Sequence, residues 1–220
     1  MNNGKDTVYI RDEQNGRDVP IFHNPKVKML LSNMGRLSTE ILAEVLKGFG
    51  VQAEAMPVPD TYALQLARSY MSGKECLPSQ LVLGSALTYL SSDKYDPEMT
   101  YLLFVPTTTG PCRTGQYFIF YENLFRDLKI PNVVVMTMDS DNSYNEMGPG
   151  FSKQAWWAVI IGDYMKDIET SLRTCAKDPV QAMTLFDTLW TRLLDKAENV
   201  SDLVPTLRNI ARELAKIPLK

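Results

Sequence analysis

Thiols are the side chains best placed to do chemistry in this sequence. Cys76 lies in Glu75-Cys76-Leu77-Pro78-Ser79-Gln80. Cys112 lies in Thr107-Thr108-Thr109-Gly110-Pro111-Cys112-Arg113-Thr114-Gly115-Gln116-Tyr117. Each stands just before an expected helix start, and the second also follows the carboxyl end of an expected strand. A helix N-terminus offers unpaired amide donors and a partial positive charge. Both features lower a thiol's pKa and stabilise a thiolate or an anionic cluster. Arg113 adds a fixed cation beside Cys112, and Gly110 and Gly115 would let the backbone approach a bulky ligand closely. The alternative is two buried cysteines acting as small hydrophobes. They are 36 residues apart with no C-x-x-C, so spacing alone does not decide.

Other chemistries find less support. His23 is the only histidine, so any Ser-His-Asp or Cys-His arrangement would have to use it; its plainer reading is an exposed or incidentally packed side chain. No H-E-x-x-H is present. Asp139 and Asp141 follow a strand end and could bind a cation, though Asp and Ser there also make turns. There is no G-x-x-x-x-G-K-[ST] and no G-x-G-x-x-G after a strand. Gly148-Pro149-Gly150 reads as a turn before a helix. The stretch from Asn33 to Arg36 ends the first expected strand, where α/β sheets often place a ligand. A tight turn explains it as well.

The elements that must position the cysteines follow from apolar pattern. Residues 1–25 carry few apolar anchors and read as a tail or a peripheral β-ribbon. Residues 26–32 read as a buried strand. A helix capped by Ser38 or Thr39 follows, with Ile41, Leu42, Val45, Leu46 and Phe49 at helical spacing and Gly48 and Gly50 as its stop. Residues 51–58 alternate like a strand. A short helix over 61–72 precedes the Cys76 loop, and Pro78 fits the first turn of the next helix. Residues 99–106 form an apolar strand, 115–128 a helix and 132–138 another central strand. Strands separated by helices imply parallel pairing. The expected fold class is α/β: an open, mostly parallel sheet in a Rossmann or flavodoxin-like three-layer lobe over 26–140. A helical extension occupies 141–220, with breaks near Pro179 and between 197 and 204. Its first helix is so apolar (Trp156, Trp157, Val159, Ile160, Ile161) that burial on more than one side is expected.

Composition narrows the setting. The 220 residues are 45% apolar, enough for a core without disulfides. Lys plus Arg number 23 against 26 Asp plus Glu, so no basic stripe points to nucleic acid. No apolar run approaches the roughly 20 residues of a membrane span, and the N-terminus lacks a signal-like apolar stretch. Three cysteines, an odd number, do not make a secreted disulfide framework. The expected location is a reducing cytoplasm with free or metal-ligating thiols.

The cysteine loops carry a resemblance. E-C-L-P at 75–78 with L-x-L-G at 81–84, then P-T-x-x-G-P-C-R-x-G-Q-Y over 106–117, resembles the 2-hydroxyacyl-CoA dehydratase activase-related family. S-N-M-G-R-L-S-T-E at 32–40, Asp139 with Asn142 and Tyr144, and I-P-L-K at 217–220 extend it over roughly residues 25–220. The resemblance implies an α/β lobe related to dehydratase subunits, whose cysteines hold iron–sulfur clusters between two such lobes. It also implies low-potential electron transfer driven by an ATP-dependent activator of the actin/Hsp70 kinase type, or work on a CoA thioester. Carried over by position, Cys76 and Cys112 are cluster ligands, with Arg113, Gly110 and Gly115 shaping the second loop. The implied cofactor is a 4Fe–4S or double-cubane cluster, which the isolated chain could lose.

Two departures stand out. The ATPase lobe is missing, and longer family members continue past I-P-L-K into another lobe. Cys175, in Ser171-Leu172-Arg173-Thr174-Cys175-Ala176, is either a third ligand or a packed helix cysteine. The competing reading is a non-catalytic interaction module that docks an ATPase or a second lobe, with structural cysteines.

Overall fold

The computed structural model describes residues 8–33, 35–139, 147 and 149–220. The readings placed on Met34, Asp141, Asn142, Tyr144 and Gly148 lie outside them. In chain order the elements are β1 (Tyr9–Asp12), β2 (Arg17–Pro20), β3 (Val27–Leu31), α1 (Arg36–Gly48), β4 (Ala53–Ala55), α2 (Thr61–Arg68) and α3 (Leu77–Leu90). Then come β5 (Thr100–Thr107), a 3-10 turn (Arg113–Gln116), α4 (Tyr117–Asp127), β6 (Val133–Asp139), α5 (Pro149–Cys175), α6 (Pro179–Ala197) and α7 (Val200–Leu214).

Strands β3 to β6 form a parallel sheet in the order β4-β3-β5-β6. The chain moves outward from β3 to β4, then crosses back over β3 to β5 and on to β6. Right-handed crossovers require this reversal to put the connecting helices on opposite faces. One face of the sheet (Met29, Leu31, Leu102, Val134, Met136) packs on Ala43 and Leu46 of α1 and Phe151 of α5. The other face (Leu30, Leu103, Val105, Val135) packs on Ala67 of α2, Leu83 and Leu87 of α3, and Tyr121 and Phe125 of α4. The result is a three-layer α/β lobe with a helical C-terminal part, consistent with a flavodoxin or Rossmann-like lobe.

Helices α5, α6 and α7 build a second core on the outer side of α1. There Leu37, Ile41 and Val45 meet Ile161, Met165, Phe186, Trp190 and Ile210. Helix α1 therefore presents one apolar stripe to the sheet and another to the bundle. Gly162 makes the α1–α5 crossing: a Cβ there would lie 2.4 Å from the Ser38 Cα. A charged knot spans the same seam. Glu169 of α5, 4% exposed, accepts from Lys166 Nζ at 2.7 Å and Arg173 Nη2 at 2.9 Å, with Arg36 of α1 at 3.6 Å.

Burial raises the Glu169 pKa, but the Lys166 and Arg173 partners outweigh it and the net shift is downward. A carboxyl depressed in the folded state adds stability above its unfolded pKa, and that stability is lost as pH falls through the folded value. Glu169→Gln should cost on the order of 2 kcal/mol at neutral pH and flatten the acid limb below about pH 4.5. Urea midpoints measured across pH will check this.

Several boundaries differ from the sequence reading. The β-ribbon is present, as the antiparallel β1–β2 hairpin. Helix α1 starts at Arg36, with Gly35 as its N-cap and no side-chain cap. Ser38 does not cap because its hydroxyl is used across the seam, donating to Asp163 Oδ1 at 3.0 Å. Strand β4 covers only three residues, since its register with β3 ends at Leu31↔Ala55. Helix α2 stops at Arg68. The start of α5 is buried on two sides as expected, Phe151 against the sheet and Ala158, Ile161 and Met165 in the bundle core, but Trp156, Trp157, Ile160 and Tyr164 are exposed. Among the described residues no helix is long and apolar enough to cross a membrane.

Candidate functional site

The winding reverses between β3 and β5, so the sheet opens a crevice beyond their carboxyl ends. A cavity of about 350 Å³ lies there, walled by Leu81, Val82, Phe104, Pro106 and Tyr117, with Ser32, Ser85 and Thr114 adding hydroxyls. The Ser32 Oγ is buried with no partner among the described residues. An unpaired buried hydroxyl is costly, and a hydrogen-bonding ligand in this cavity would satisfy it.

Both cysteine loops border this edge. Cys76 is the N-cap of α3, with Pro78 in the first turn, and its side chain makes no cap bond. Instead its Sγ makes a hydrogen bond with the Tyr117 hydroxyl on α4. Cys112 caps the 3-10 turn that leads into α4, and its Sγ lies 3.1 Å from Thr114 Oγ1. The Tyr117 phenol also feels the Thr114 hydroxyl and the charges of both thiols. Cys76 thus meets Tyr117, and Cys112 meets Thr114, three residues before Tyr117 in the same loop-to-helix segment.

Secondary contacts fix this geometry. Arg113 Nη1 donates to the Lys74 carbonyl at 3.0 Å, tying the two loops together. The guanidinium is thus engaged by the first loop. Tyr121 donates to the Ser79 carbonyl at 2.8 Å, which clamps α4 to the start of α3. Glu75 accepts from the Ser72 hydroxyl at 2.9 Å and the Gly73 amide at 3.0 Å, closing the first loop on itself. Gly115 is required by the second loop's own backbone, since a Cβ there would stand 2.3 Å from the Thr108 carbonyl oxygen. At Gly110 a Cβ would make only an ordinary 3.5 Å contact with Thr108 Oγ1.

Burial, then the Cys76 hydrogen bond, pushes the Tyr117 phenol up to about 12, so it stays protonated and can donate to sulfur. Cys112 is exposed, and the Thr114 hydroxyl and then the Thr114 amide hold its thiol below the ordinary range. Thr114→Val keeps the side chain's shape and removes the hydroxyl. The pH midpoint for alkylation of Cys112 by iodoacetamide should then move upward, with slower reaction near neutral pH. Peptide mapping of the alkylated chain gives the rate at each thiol; an unmoved midpoint would count against the Thr114 contact.

The structure does not bring Cys175 to the other two. It ends α5, exposed, with Sγ 3.4 Å from Thr174 Oγ1 and its carbonyl accepting the Lys220 amide at 2.9 Å. That corner belongs to the bundle with Ala211 and Leu214 of α7, across the sheet and α1 from the cysteine loops. Among the described residues no group of three His, Cys, Asp or Glu side chains is placed to hold a metal ion.

His23 is exposed beside Gly50, whose carbonyl accepts the His23 amide at 2.7 Å. That is at the amino end of the sheet, away from both thiols. Asn33 behaves as a turn residue, donating to the Met56 carbonyl at 3.1 Å and accepting from the Gly35 amide at 3.2 Å. Sequence reasoning missed Ser32, Thr114 and Tyr117 as site residues. For Tyr117 the one available signal was its place at the end of the second cysteine loop. No family model, no curated protein and no solved structure matches this chain.

Proposed function

We propose that this chain contributes one side of an iron–sulfur centre in a dehydratase-like system. An ATP-dependent activator of the actin/Hsp70 kinase type would drive low-potential electrons to it, in the service of CoA-thioester chemistry. One observation carries the reading: the loops of Cys76 and Cys112, far apart in sequence, are brought together at the sheet's switch point, Cys76 on Tyr117, Cys112 on Thr114, and Arg113 on the Lys74 carbonyl. A bound cluster would supply one-electron chemistry at low potential.

The donor set fits a cluster in part. Two soft thiol ligands are available, Cys76 from the start of α3, where amide donors favour negative charge, and Cys112 from the 3-10 turn ahead of α4. A cluster takes three or four thiolates, so the remainder come from a second lobe or chain. In this reading Cys76 and Cys112 bind, Arg113 holds their loops together, and Tyr117 donates a hydrogen bond to the Cys76 sulfur. The apolar walls of Leu81, Val82 and Phe104 keep water from one side.

The test is anaerobic reconstitution of the reduced chain with ferrous iron and sulfide in excess dithiothreitol, whose thiols stand in for the missing ligands. Retained iron and a brown cluster spectrum after gel filtration are expected. A colourless, iron-free chain overturns the reading.

The alternative, a non-catalytic docking module with structural cysteines, draws on a different observation. Trp156, Trp157, Ile160 and Tyr164 form an exposed apolar stripe on α5, and exposed aromatic patches of this kind mark interfaces. An iron-free chain that still binds an ATPase or a second lobe would favour this alternative.

A further inference from the structure

The same pair of thiols has a second chemistry open to it. Cys112 is solvent-exposed, whereas Cys76 is half-buried and pinned to the Tyr117 hydroxyl. Cys76 contacts Tyr117 and Cys112 contacts Thr114, three residues before Tyr117 in the chain, and the Arg113–Lys74 contact holds one loop against the other. An accessible thiol beside a less accessible one is the arrangement of an attacking and a resolving cysteine. Cys175, the third thiol, is in the bundle and has no such neighbour among the described residues.

We infer that Cys112 and Cys76 form a thiol–disulfide exchange pair for small-molecule disulfides, with Cys112 attacking first and Cys76 resolving. The atoms and electrons balance in two steps. The Cys112 thiolate attacks one sulfur of an oxidised small disulfide, forming a Cys112 mixed disulfide and expelling one small thiolate. The Cys76 thiolate then attacks the Cys112 sulfur, forming a Cys76–Cys112 disulfide and expelling the second small thiolate. Two protein thiols are oxidised, one small disulfide is reduced to two thiols, and the two protons lost by the cysteines go to solvent and the leaving thiolates. A disulfide here uses up both ligands of the proposed cluster, so the oxidised chain takes up no iron. That last consequence rests on the cluster reading; the exchange itself does not.

The experiment uses the full, metal-free, reduced chain carrying Cys175→Ser, treated anaerobically with oxidised glutathione and followed by intact-mass and peptide-map spectrometry. The parent should lose two hydrogens in mass, retain no glutathionyl group and yield one Cys76–Cys112 cross-linked peptide, all reversed by dithiothreitol. Adding Cys76→Ser should trap one glutathionyl group on Cys112. Adding Cys112→Ser should leave Cys76 reacting far more slowly. Far-UV circular dichroism confirms that each variant is folded. Stable glutathionylation of Cys112 beside a free Cys76, cross-linked dimers, or no reaction at all overturns the exchange pair. Iron reconstitution of the reduced parent is scored separately: retained iron without exchange refutes only this inference, and exchange without retained iron refutes only the cluster reading.

Discussion

Cys76→Ser and Cys112→Ser should each drop retained iron to background after anaerobic reconstitution, while Cys175→Ser leaves it unchanged. A serine hydroxyl stays protonated near neutral pH and is a hard, weak ligand where a soft thiolate is needed. The contrast with Cys175 follows from its position at the end of α5, remote from the switch point. Tyr117→Phe is the sharper probe. It keeps both thiols and the buried ring, and removes only the hydroxyl that meets Cys76. Iron content should survive, but the reduction potential should fall, because a sulfur that loses a hydrogen bond holds more charge and disfavours a further electron. Electrochemistry on the reconstituted chain reads this directly. Equal iron loss in all three cysteine variants would mean that the metal is held elsewhere or nonspecifically.

Trp190→Ala should be the most destabilising single change in the bundle. Trp190 is 2% exposed in the core shared by α1, α5, α6 and α7, and its Nε1 donates to Glu40 Oε2 at 2.6 Å. Removing the ring opens a cavity in a well-packed core, at a cost of about 3–5 kcal/mol. Among the described residues Glu40 would retain only Arg36, at 3.6 Å. Trp190→Phe keeps much of the volume but leaves the carboxylate without its donor, and should cost about 1–3 kcal/mol. Urea unfolding followed by circular dichroism separates the two variants. The Cys76–Tyr117 and Arg113–Lys74 contacts lie beyond the sheet from Trp190, so reconstitution of the folded fraction of either variant should match the parent. A cost near zero for the alanine variant would contradict the packing.

Much of the fold was legible because β3, β5 and β6 are nearly continuous apolar runs largely buried on both faces, a pattern with few other readings. Residues 51–58 misled because alternation alone says nothing of a partner's length, and β3 pairs with only three of them. Ser38 looked like a cap because hydroxyls favour that position; its real partner, Asp163, is 125 residues away. The exposed tryptophans of α5 likewise needed the packing to sort one face from the other. At the site, the N-cap positions of Cys76 and Cys112 could be read from flanking loops and Pro78. The approach of the two loops could not, because it rests on contacts such as Cys76 to Tyr117, 41 residues apart. The buried Ser32 hydroxyl, without a partner among the described residues, was equally invisible, since this is a property of the assembled crevice.

The two apolar stripes of α1 have a consequence for how this molecule comes apart. Neither the sheet nor the bundle can detach without baring one side of that helix: Ala43 and Leu46 on the one hand, or Leu37, Ile41 and Val45 on the other. Partial opening is therefore penalised wherever it begins. Amide protons in the middle of α1 should exchange with solvent only through global unfolding, as the slowest set in the chain. The helix thus acts as a shared keel, coupling the cysteine-bearing lobe and the C-terminal helices into one cooperative unit.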